Sequence, residues 1–162
     1  MTRRLLPVIL LAAALSGCGF ALRGSDGLPA SLDRVAVDGA DFAMVDRLES
    51  ALSANGASVV DPGDQAAAVL RLLESGFTRV VRSTDADGLA TSHTLKYRVA
   101  YEVRTAGRDE LQASQRLVHE RVAVYDPLRP LQSEQEEALL KAEMQDEIVQ
   151  QILHRLRRIR QD

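Results

Sequence analysis

The 162-residue chain has no tryptophan, only 4% aromatic residues and a single cysteine. A core without tryptophan must be filled by aliphatic side chains, and one cysteine excludes an internal disulfide and a cysteine-pair zinc site. No glycine-rich phosphate loop and no nucleophile elbow is present, which removes the commonest nucleotide-binding and hydrolase signatures. Positive charge is also short: 20 basic against 23 acidic residues give a formal net charge of −3. General nucleic-acid binding needs a basic footprint, so that class is excluded as well. No internal repeat or low-complexity block occurs. What remains is a 46% hydrophobic composition, enough for one globular aliphatic core and too apolar for a disordered chain.

The apolar run at the N-terminus is too short to span a bilayer. Arg3 and Arg4 precede Leu5 to Leu15, and Arg23, Gly24, Ser25 and Asp26 follow soon after, whereas a spanning helix needs about 20 apolar residues. The pattern is that of a secretory leader. Its end reads Leu15-Ser16-Gly17-Cys18, so the only cysteine stands where bacterial lipoprotein leaders place the thiol that receives diacylglycerol. Three parts follow: a lipoprotein leader over 1–17, a lipidated tether over 18–30 and a single domain over 31–162. Loss of Arg3 and Arg4 with the leader takes the net charge to −5. Gly19, in place of an aspartate after the cysteine, points to the outer membrane.

Along the domain, Leu32 to Val37 alternates as a strand. Asp41 is placed to cap a helix carrying Phe42, Val45, Leu48 and Leu52, which Asn55-Gly56 ends. Ala57 to Val60 is a short extended piece before a turn at Asp61-Pro62-Gly63-Asp64. Val69 to Val81 reads as a strand with Gly76 as a candidate bulge, and Asp85 to Gly88 as a reversal. Leu95, Tyr97, Val99, Tyr101 and Val103 then alternate with polar or small residues over ten positions, the clearest strand in the chain. After a turn at Ala106 to Asp109, Gln115 to Tyr125 forms its antiparallel partner, with Val118, Val122 and Val124 as the apolar alternates. Ser133 and Glu136 form a capping box for a last helix whose stripe is Leu140, Met144, Ile148, Ile152, Leu156 and Ile159. The expected fold class is α+β: a two-layer sandwich, two helices packed on one face of a four-stranded, largely antiparallel sheet.

Catalytic chemistry is not indicated, and neither is a metal site. His93, His119 and His154 lie on different elements without ligand spacing, and Ser92 and His93, adjacent on a strand, point to opposite faces. The basic residues Arg79, Arg82, Lys96, Arg98 and Arg104 lie on or near the two long strands, where they can serve as solvated charge or meet anionic groups such as lipid phosphates. Arg155 to Arg160 complements the end of the last helix.

The opening Leu15-Ser16-Gly17-Cys18-Gly19-Phe20-Ala21-Leu22-Arg23-Gly24 resembles that of the LptE family of LPS-assembly lipoproteins, whose pattern is Cys-Gly-aromatic-x-Leu-Arg. The Tyr97-centred strand and the Leu153-His154-Arg155-Leu156 helix fit the same family in order and spacing. The resemblance implies a non-enzymatic lipoprotein of the Gram-negative outer membrane, its domain facing the periplasm and the lumen of the β-barrel LptD, which it plugs and helps to assemble while lipopolysaccharide passes to the outer leaflet. It implies no cofactor or metal, only N-acyl and S-diacylglycerol lipid on Cys18. The family's basic positions near the third strand's tip and before the last helix here read Asp85-Ala86-Asp87-Gly88 and Gln132-Ser133-Glu134. Arg82 and Arg129 are the nearby substitutes, and Arg79, Arg82, Arg98 and Arg129 are the candidate lipopolysaccharide-binding residues. The alternative is a free-standing periplasm-facing lipid-binding or envelope-structural lipoprotein, with a groove between helices and sheet.

Overall fold

The computed structural model describes residues 27–62, 68–105, 107 and 109–159. The expected leader, Cys18 and most of the expected tether lie outside the described residues, as do Gly63, Asp64, Ala106, Arg108 and Arg160. A short 3-10 turn at Ala30–Leu32 leads into β1 (Arg34–Asp38), α1 (Phe42–Ala54), β2 (Ser58–Val59), β3 (Ala68–Thr84), β4 (Ala90–Thr105), β5 (Glu110–Val124) and α2 (Pro130–Leu156).

The sheet has five strands in the order β2-β1-β3-β4-β5 and is mixed. This corrects the expected four-stranded, largely antiparallel sheet. The segment at Ser58 is a strand in its own right: it returns through α1 to lie parallel to β1, Arg34 opposite Ser58 and Val35 opposite Val59. β3 is parallel to β1 as well, Val35 opposite Ala68 and Val37 opposite Leu70. The β1–α1–β2 connection is a crossover, which is how parallel neighbours are joined, and the chain then passes from β2 to β3 on the other side of β1. Only the β3-β4-β5 meander is antiparallel, and it forms where connections are tight. Asp85 Oδ1 accepts from the N–H groups of Asp87 and Leu89 in the first of these turns, and Gly88 takes φ +81° there, a conformation that favours glycine.

Burial follows the period of two in β4. Leu95, Tyr97, Val99, Tyr101 and Val103 all face the helices and are at most 1% exposed. The bulge in β3 falls at Leu73, between Leu72 and Glu74, and Gly76 pairs regularly with Arg98. Leu73 therefore drops out of the alternation and is half exposed. In β5 the phase is opposite to expectation. Leu117 and Ala123 are buried, and Val118, Val122 and Val124 face outward.

Both helices cover the same sheet face. Asp41 caps α1, its Oδ1 accepting from Met44 N–H at 3.2 Å. Met44, Leu48 and Leu52 form the buried stripe, whereas Phe42, expected in that stripe, is 83% exposed. Position 42 lies in the first turn, rotated away from the sheet, and Met44 fills the site instead. α2 starts three residues before the expected capping box. Pro130 occupies a first-turn position, where its missing N–H costs nothing. Ser133 is buried inside the helix and accepts from Asp126 N–H at 3.0 Å, closing the connection from β5. Met144, Ile148, Ile152 and Leu156 are fully buried, with Val149 and Leu153 beside them.

The two ends of the molecule differ. At one end the entry to β1, the end of α1 and the end of α2 meet, and Arg157 donates to Asn55 Oδ1 at 2.6 Å. At the other end, the tips of β3 and β4, the end of β5 and the first turns of α2 extend beyond α1. Val80, Val81, Leu89, Val122, Val124, Leu128 and Leu131 are exposed there.

Candidate functional site

The four candidate arginines are separated by the strand alternation. Arg79 lies opposite Leu95 and therefore on the helix side of the sheet, where its Nη1 meets Glu137 Oε2 of α2 at 3.1 Å. It is a strut between layers and not a free cation. Arg98 is on the open face, opposite Gly76 and Val118. There Arg98 Nε and Arg116 Nη2 each lie 3.5 Å from Glu74. Arg129 precedes α2 and stands 3.9 Å from Asp126, largely exposed. Arg82 sits at the second irregularity of β3, between Val81 and Ser83. It has no ion-pair partner among the described residues. It shares a shallow cleft of about 400 Å³ with Thr94, Glu120, Arg121 and Val122.

The structure thus sets Arg82 apart from the other three candidates, in a cleft where Val122 adjoins Thr94, Glu120 and Arg121. Val80, Thr94 and Val122 form one row across the three strands, and Val80 and Val122 are 62% and 47% exposed. A cation beside open valines offers both halves of an amphipathic contact. The inverted phase of β5 creates that row, and Val118, Val122 and Val124 were the sequence signal for it, assigned to the wrong face.

Two polar nodes hold the sandwich together. In the first, Asp41 Oδ2 accepts from Ser75 Oγ at 2.6 Å and from Tyr97 OH at 2.8 Å, while Gln145 Nε2 donates to the same Tyr97 oxygen at 3.0 Å. The node joins α1, β3, β4 and α2. Burial pushes the Asp41 carboxyl up, but the donors Ser75, Tyr97 and Met44 N–H, with the charge of Lys141, outweigh it and leave the net shift below the ordinary value. Burial also raises the Tyr97 phenol, which stays protonated and able to donate. In the second node, His119 Nδ1 lies 2.7 Å from Glu147 Oε2 and Arg121 Nη2 lies 2.5 and 2.6 Å from the two carboxylate oxygens. The His119 hydrogen bond, then Arg121, lower the Glu147 carboxyl. These contacts are why His119 and Arg121 face inward. His93 is buried edge-to-face against Tyr125 with ring centroids 5.1 Å apart.

A cleft of about 640 Å³ runs along the solvent side of the two helices and is lined by Ala43, Asp46, Arg47, Ser50, Asp146 and Gln150 among others. Arg47 and Asp146 bridge it. It does not lie between helices and sheet, where the free-standing lipid-binding alternative put its groove. Among the described residues no group of three His, Cys, Asp or Glu is arranged to hold a metal ion, and no helix is long and apolar enough to cross a membrane.

The domain is a two-layer α+β sandwich with charged and apolar side chains on its open sheet face and extended tip. The comparisons make that particular. The family model for lipopolysaccharide-assembly, LptE, matches residues 30–156, and the chain belongs to the LptE family. It is 29% identical over 161 residues to the LPS-assembly lipoprotein LptE of Pectobacterium atrosepticum, covering 96% of this chain and 86% of that one. The protein of the same name from Photorhabdus laumondii is 25% identical over 160 residues, covering 96% and 87%. Among solved structures, lipoprotein B of Nitrosomonas europaea superposes with a TM-score of 0.71 at 29% identity, covering 83% of this chain and 88% of that one. Rare lipoprotein B of Shewanella oneidensis superposes with a TM-score of 0.64 at 22% identity, covering 76% and 92%, and shares the fold.

Proposed function

We propose that this protein is a non-enzymatic lipoprotein subunit of the lipopolysaccharide translocon, anchored through Cys18 in the outer membrane and seated within the β-barrel LptD, whose assembly it assists. Residues 1–17 serve as its leader and 18–30 as its tether, and Cys18 carries N-acyl and S-diacylglycerol lipid. The observation that carries the reading is the family match across nearly the whole domain. Two physical features support it. The domain is rigidly cross-braced by the Asp41 and Glu147 nodes, as a body held inside a larger channel must be. Its open face alternates Lys96 with Glu120, and Arg98 and Arg116 with Glu74, a surface suited to the polar interior of a large barrel.

Direct lipopolysaccharide contact falls at the extended tip, with Arg82 facing phosphate and Val80, Val122 and Val124 facing acyl chain. Arg79 and Arg98 are held by Glu137 and Glu74 and contribute less. Arg82→Glu is expected to weaken lipopolysaccharide binding about tenfold in a direct assay, the size of one lost charge-assisted contact plus repulsion. Arg79→Gln should act chiefly on stability. Unchanged affinity in Arg82→Glu removes the tip from the binding surface.

A further inference from the structure

We propose a second anion site, at the opposite end of the molecule from Arg82: the cleft beside the C-terminal turn of α2 takes a phosphate group. The cleft holds about 390 Å³ and is lined by Leu111, Gln112, Gln115, Arg155, Arg158 and Ile159. It has two guanidinium groups and two side-chain amides, and among the described residues no carboxylate lines it. Arg155 Nη1 donates to Gln115 Oε1 at 3.0 Å, which fixes its fork without neutralising it. Neither Arg155 nor Arg158 has an ion-pair partner among the described residues.

Beneath the cleft lies an unmet polar group. Tyr101 is fully buried, and its hydroxyl has no hydrogen-bond partner among the described residues. Gln112 Oε1 is likewise buried and without a partner among them. Arg155 and Gln112 are the polar side chains beside the Tyr101 hydroxyl, yet neither meets it in bonding geometry. A buried hydroxyl left without a partner costs free energy, so such groups are rare without a reason. A phosphate oxygen placed among Tyr101, Arg155 and Gln112, with the Gln112 amide rotated to present its NH₂, satisfies all three, because each then donates to an acceptor-rich anion.

The helix end does not forbid an anion there. The macrodipole contributes about half a negative charge, against two full positive charges. Turn bonds from Arg157, Arg158 and Ile159 N–H occupy the carbonyls of Leu153, Arg155 and Leu156. The position also matters. Val35 of β1 lies beside Ala68, which lies beside Thr105, so the chain from the N-terminal tether enters at this end. A tether that brings this end to a bilayer presents the cleft to headgroup phosphates. A free phosphate offers the same chemistry.

The test uses the full mature lipidated protein in dodecyl maltoside micelles, followed by NMR of the Tyr101 ring, the Gln112 side-chain amide and the Arg155 Nε–H. Inorganic phosphate is titrated in one arm and phosphatidylglycerol is added to the micelles in the other. Saturable shifts at these three groups are expected. Tyr101→Phe should weaken binding about tenfold, the size of one hydrogen bond to a charged group, without lowering the melting temperature. Arg158→Gln, on an exposed side chain, should weaken it as well, and Arg82→Gln should not. Response to both probes identifies a headgroup site, and response to inorganic phosphate alone a free-anion site. Either one supports the cleft. No saturable shift with either probe overturns it, as does wild-type affinity in Tyr101→Phe and Arg158→Gln. A clear fall in the melting temperature of Tyr101→Phe also overturns it, because the hydroxyl then has an internal partner.

Discussion

Ile148→Ala is expected to lower the free energy of unfolding by about 2–5 kcal/mol. Ile148 is fully buried midway along α2, on the face that meets both the sheet and α1. Truncation removes the transfer free energy of three carbons and leaves a cavity, because the buried cluster around it is drawn from both helices and the sheet, which cannot all move in. A domain of this size is stable by about 5–15 kcal/mol, so the variant loses a large fraction of the total. Leu131→Ala, at a side chain 74% exposed on the same helix, should stay within about 0.5 kcal/mol of the parent. Urea unfolding of both measures the difference. A loss below about 1 kcal/mol for Ile148→Ala would show that α2 is not seated as described.

Asp41→Ala is expected to cost about 2–3 kcal/mol, since it removes a helix cap worth about 1 kcal/mol and leaves the Ser75 and Tyr97 hydroxyls short of their acceptor. Asp41→Asn keeps a capping oxygen and should recover about half of the loss. The same carboxylate makes stability depend on pH. Its folded-state pKa is lowered from the ordinary value of 3.8, so its contribution is complete well above that value. The contribution is lost as the pH falls through 3.8 and toward the lower folded-state value. Melting temperatures taken from neutral pH down to about pH 3 should therefore fall more steeply for the parent than for Asp41→Ala. Parallel curves would remove Asp41 from the account.

Much of this fold is written in local pattern. β4 was legible because its inward residues are all large and apolar while Lys96, Arg98, Glu102 and Arg104 face out, so period and polarity agree. The stripe of α2 was legible for the same reason. β5 was not, because its most apolar alternates face solvent. His119 and Arg121 turn inward only because Glu147, 28 and 26 residues away, meets them on α2. No window along β5 contains that partner. The parallel pairing of β1 escaped because β2 has two residues and shows no alternation. The bulge escaped because glycine is the usual mark of one, yet Leu73 carries it.

The candidate arginines show the same limit. Residue type identified cations able to meet phosphate, but only the register separates Arg79, braced by Glu137, from Arg82, which lies beside Val122 with no ion-pair partner among the described residues. The cleft under Arg155 was invisible for a related reason. Tyr101 reads as one more core residue of the best strand, and its orphaned hydroxyl is a property of packing.

A domain that works as a subunit of a translocating barrel should leave the membrane with it. When the tagged chain is isolated from outer membranes in mild detergent and the co-isolated proteins are quantified, a large β-barrel protein of the LptD type is expected in equal amount. Recovery of the lipoprotein alone from native membranes, with the barrel present in the same extract, would contradict it.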